Sequence, residues 1–88
     1  MNHLTILIIM TLANASTLYA QSNLLKSVKQ NSNQALVLCE KFRSLNAKGI
    51  SASSADVIAN LSKEQNLTIQ DAEILSMYVI GLYCPEVN

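Results

Sequence analysis

The sequence has no tryptophan, a single proline, two glycines, and aromatics at only 5% of its 88 residues. It has no excess of either charge, since six Lys/Arg balance six Asp/Glu. Without net positive charge it lacks the electrostatic footprint of a protein that binds nucleic acid or an anionic lipid surface. Histidine occurs once, at His3, inside a stretch that reads as removable. A chain starting beyond that stretch has no imidazole, which excludes Ser-His-Asp and Cys-His catalysis and every histidine-containing zinc site. Its two thiols are too few ligands for a metal, so no metal or cofactor is expected. The length supports one domain.

The removable stretch is written in the first twenty residues. Leu4 to Leu12 (LTILIIMTL) is uncharged and apolar at seven of nine positions, and small or polar residues follow from Ala13 to Thr17. A short apolar run leading into small residues describes a secretory signal peptide. Ala13-Asn14-Ala15 satisfies the A-x-A rule but leaves almost no spacer, whereas Leu18-Tyr19-Ala20 ahead of Gln21 is better placed. Cleavage after Ala20 is expected. The run is well short of the roughly 20 residues that span a bilayer, and no cysteine follows it closely enough for a lipid anchor. The reading is a signal peptide at 1–20 and a folded domain at 21–88, secreted or periplasmic, with no stable membrane span after cleavage.

Cys39 and Cys84 are the only cysteines. In an exported chain an even number of widely separated cysteines reads first as a disulfide, and two allow a single intramolecular pairing. Thiol-redox chemistry is the alternative. Catalytic dithiols usually sit as C-x-x-C at a helix start, where the thiolate is stabilised, and neither feature is present here.

The rest of the chain reads as helix. Leu24, Leu25, Val28, Ala35, Leu38, Cys39, Phe42 and Leu45 recur at spacings of three and four. Gln30 to Gln34 (QNSNQ) interrupts them, which predicts a kink or break near Ser32. Gly49 and Ile50 form a helix stop, with glycine taking the left-handed conformation and Ile50 folding back on the helix end. Ser53 with Asp56 three residues later resembles a weakened capping box, opening a helix that carries Val57, Ile58 and Leu61 and ends at Asn66. Thr68 is the expected N-cap of the last helix, with Asp71 and Glu73 in its early turns. From Ile74 to Tyr83 (ILSMYVIGLY) only Ser76 is clearly polar, which predicts a central helix buried all round. Pro85 ends it and Glu86-Val87-Asn88 is a short tail. Nothing alternates with a strand period. The expected fold is all-α, a small bundle of three to four short helices stapled by one disulfide.

Leu38-Cys39-Glu40, Gly49-Ile50-Ser51, Val57-Ile58, Thr68-Ile69-Gln70-Asp71-Ala72 and Tyr83-Cys84-Pro85 together resemble the domain-of-unknown-function family seven hundred and thirty-two. These are small secreted helical proteins with a Cys…Tyr-Cys-Pro pattern. The resemblance implies a short helical bundle with a Cys39–Cys84 bridge, and it brings no activity.

Function is therefore weighed by exclusion. No G-x-S-x-G elbow or supported Ser-x-x-Lys pair is present. Asp71 and Glu73 are two apart on a helix, so they cannot flank one bond. No enzyme is expected. A membrane-active or toxin-like peptide needs a basic amphipathic face, and Lys41, Arg43 and Lys48 make only a modest cluster beside Glu40. The sequons at Asn60 and Asn66 matter only in a eukaryotic host. What stands is a non-catalytic binding or interaction module of the periplasm, envelope or extracellular space. Its candidate partner face is Ile74, Met77 and Tyr78, with Leu36 and Val37, and it takes an unknown protein or a second copy of itself.

Overall fold

The computed structural model describes residues 23–88, which contain helices and no strand. The expected signal peptide and its expected cleavage after Ala20 lie outside those residues. Residues 23–30 form α1, Ser32–Ala47 form α2, Ala55–Gln65 form α3 and Ile69–Tyr83 form α4. The all-α class read from the sequence is the observed one.

The polar waist breaks the first apolar stripe into two helices. The break falls at Asn31, which leaves helical geometry with φ −118° and ψ 68° and caps α2 through its side chain. Backbone bonding still crosses it, from Asn31 N–H to the Ser27 carbonyl at 3.0 Å and from Ala35 N–H to the Asn31 carbonyl at 3.3 Å. The Tyr83 hydroxyl donates to the Val28 carbonyl at 3.3 Å, tying α1 to the end of α4.

Local chemistry sets the other ends. Gly49 takes φ +80°, Ile50 N–H reaches back to the Leu45 carbonyl at 2.9 Å and Gly49 N–H to that of Asn46 at 2.9 Å. This pair of bonds satisfies the last carbonyls of α2. Asn66 does the same for α3 at φ 54°, with Leu67 N–H bonded to the Ser62 carbonyl at 2.9 Å. Thr68 caps α4 as expected, its hydroxyl accepting from Asp71 N–H at 3.1 Å. The start of α3 differs from expectation. Ser53 spends its hydroxyl on Ser51 at 2.9 Å, so the cap position passes to Ser54, which makes no side-chain cap bond.

α2 and α3 each pack on α4, and their backbones do not pack on each other. Phe42, Leu61, Val79, Cys39 and Cys84 are the largest fully buried side chains. Cys39 and Cys84 are joined, with Cα atoms 5.9 Å apart. α4 is thus the central element, but it is not buried all round. Ala72, Leu75, Ser76 and Val79 face the core, while Met77 and Leu82 are exposed. With α2 and α3 packed on it and α1 held to its end through Tyr83, α4 keeps one side uncovered among the described residues.

Residues 86–88 are not a free tail. Asn46 Nδ2 donates to the carbonyls of Ile50 and Asn88, each at 2.9 Å, and its Oδ1 accepts from Asn88 N–H at 2.7 Å. The Asn88 carbonyl also accepts from Ala52 N–H at 2.7 Å, and Val87 is buried. Arg43 pairs with Glu86 at 2.6 Å, and that hydrogen bond holds the Glu86 carboxyl below its usual range. This contribution is full above the ordinary carboxylate range and is lost as pH falls through the lowered value. Asn46→Ala should lower stability by about 1–2 kcal/mol and speed amide exchange at Ala52 and Asn88. Unchanged exchange at both amides would mean that the side chain does not hold this segment.

Candidate functional site

The uncovered side of α4 is built by its sequence. At about 100° per residue, Ile74, Met77 and Gly81 fall within about 60° of one another. Met77 is 64% exposed, Gly81 is exposed, and Ile74 and Ile80 are half-buried beside them. Tyr78 is half-buried and packs against the core. The three residues named from the sequence therefore share a side of α4 in graded exposure, with Met77 at its crest. Leu36 and Val37 are exposed on α2.

Gly81 shares this side and is not among the residues that the sequence offers for a partner face. It sits in the last turn of α4 with no left-handed φ, and a Cβ built there meets nothing within 4 Å. Glycine inside a helix costs about 0.5–1 kcal/mol relative to alanine. Among the described residues, neither the backbone nor the packing requires it. It leaves a notch one turn beyond Met77, on an apolar surface.

Other chemistry is sparse. Both cysteines are fully buried, so an attacking thiolate has no direct route to either sulfur. Lys41 is paired with Glu64 of α3 at 3.0 Å and Arg43 with Glu86 of the C-terminal segment, so two members of the basic cluster are paired with acids other than Glu40. Among the described residues no group of three or more His, Cys, Asp or Glu could hold a metal ion. No described helix is long and apolar enough to cross a membrane.

The fold and site define a disulfide-stapled, all-α miniature domain with one uncovered apolar helix face. The family described as "Domain of unknown function (DUF8664)" matches residues 25–84, from α1 through Cys84, and the chain belongs to it. It is a different family of unknown function from the one that the Tyr83-Cys84-Pro85 pattern resembles. No curated protein and no solved structure matches the chain.

Proposed function

We propose that this protein is an exported, non-catalytic interaction module that docks a protein partner on the outward face of α4. The observation that carries this reading is Gly81, a helix glycine unexplained by its own chain, set beside the exposed Met77. A partner helix crossing at Gly81 could approach the α4 backbone closely while Met77, with its flexible thioether, fills the gaps around it. Leu4 to Leu12 and the site after Ala20 support export. The buried Cys39–Cys84 bridge fits an oxidising compartment.

Two substitutions separate binding from folding. Gly81→Ala should stabilise the isolated chain by about 0.5–1 kcal/mol while weakening capture of the partner. Met77→Glu should leave the fold intact and abolish that capture. Capture is read by a photo-crosslinker at Ile74 in producing cells. A concentration-dependent dimer abolished by Met77→Glu identifies the partner as a second copy. Adducts that survive both substitutions refute the docking face. Export is tested by the intact mass of protein from the extracytoplasmic fraction, with a start at Gln21 expected. A full-length chain with two alkylatable thiols would overturn it.

A further inference from the structure

On the opposite side of α4 from Met77, a cleft of about 180 Å³ opens where α1 bends into α2. Its floor is apolar, formed by Val28, Leu38, Leu75 and Val79. Its rim carries three side-chain amides in series. Asn31 Nδ2 donates to Gln34 Oε1 at 3.0 Å, and Gln34 Nε2 donates to Gln65 Oε1 at 2.8 Å. The series links the α1–α2 bend to the end of α3, and among the described residues no charged one lines the cleft.

We infer that this cleft binds a small uncharged molecule with a compact apolar body and one hydroxyl or carbonyl group. The volume sets the body. Ligand pockets for drug-sized molecules start at about 300 Å³, whereas an apolar cavity of about 150 Å³ accepts benzene. The cleft therefore takes a single ring or a branched aliphatic group, and is too small for a helix or strand. The rim sets the polar end. Each amide link uses one of two N–H donors and one of two carbonyl lone pairs, so a ligand hydroxyl or carbonyl can join the series without breaking it. The lining sets the charge, because an ion seated there would lose water and find no countercharge. The bend sets access, since α1 is held over the cleft through Val28 and the Tyr83 hydroxyl. The source is a free molecule, the volume being matched to one group and not to a chain.

The test is a titration of the oxidised protein with 4-methylphenol, read by methyl NMR. Saturable shifts are expected at Val28, Leu38, Leu75 and Val79, with Ile50 and Val57 unmoved. Toluene, lacking the hydroxyl, should bind about fivefold more weakly, and 4-methylbenzoate should not compete. Gln34→Leu should reduce 4-methylphenol affinity by a similar factor and leave toluene unchanged. Ser27→Phe, on the cleft wall, should fill the space and abolish binding of both without altering the methyl shifts of Ile50 and Val57, which lie outside the cleft. Shifts centred on Ile74 and Met77, no saturation up to the solubility limit, or equal affinities in Gln34→Leu would each overturn the inference. A capped tyrosine peptide binding more tightly than 4-methylphenol would also overturn it, reassigning the cleft to a partner's side chain.

Discussion

The Cys39→Ala/Cys84→Ala variant is expected to be largely unfolded at 37 °C. The bridge closes a sequence separation of 45 residues, and a loop of that size removes about 4 kcal/mol of chain entropy from the unfolded state in the chain-entropy model. Cores of chains below about 70–80 residues rarely supply more than 3–5 kcal/mol, so the staple matches the whole remaining stability. Alanine is chosen because both sites are fully buried and a serine hydroxyl there would add a desolvation cost. Helical circular dichroism should collapse in the double variant and in the reduced wild type. If both instead retain a cooperative transition within a few degrees of the oxidised protein, the bundle is held by packing alone.

Phe42→Ala is expected to come second in size, at about 3–5 kcal/mol. Phe42 is the sole phenylalanine of the sequence and is fully buried in α2. The sequence has no tryptophan and no second phenylalanine to share its role in the core. Urea unfolding of the oxidised variant measures the loss. A loss below about 1 kcal/mol would show that the α2–α4 contact collapses around the cavity. Phe42→Leu, which keeps most of the volume, should lose far less.

The parts of this fold legible in the sequence are those fixed by neighbours along the chain. Gly49-Ile50 ends α2 and Thr68 opens α4 through bonds spanning three to five residues, and each is carried by a residue type suited to that geometry. The disulfide was legible by count. The start of α3 was misread because Ser51, Ser53 and Ser54 offer equivalent hydroxyls, and only the turn decides which is taken by Ser51. The clasp of Asn46 on Asn88 joins residues 42 apart, and nothing periodic announces it. The exposed side of α4 was half legible. Angular placement sets Ile74, Tyr78 and Gly81 on one side and Met77 with Ile80 toward Cys84, but a helix apolar on every side carries no signal of which side faces water. That is decided by where α2 and α3 land. Gly81 is placed on that side by its spacing, but a helix glycine is informative only once the space around it is seen to be empty.

α4 is the hub on which α2 and α3 both rest, and it comes after them in the chain. As the polypeptide emerges from a ribosome or threads through a translocation pore, Ala35, Leu38, Phe42 and Leu61 arrive before the surface that covers them. Neither earlier helix can complete its packing against the other, and Cys39 waits as a thiol until Cys84 appears. Folding is therefore deferred until nearly the whole domain has passed. Such a chain stays unbridged, and without its central element, until its last helix has emerged.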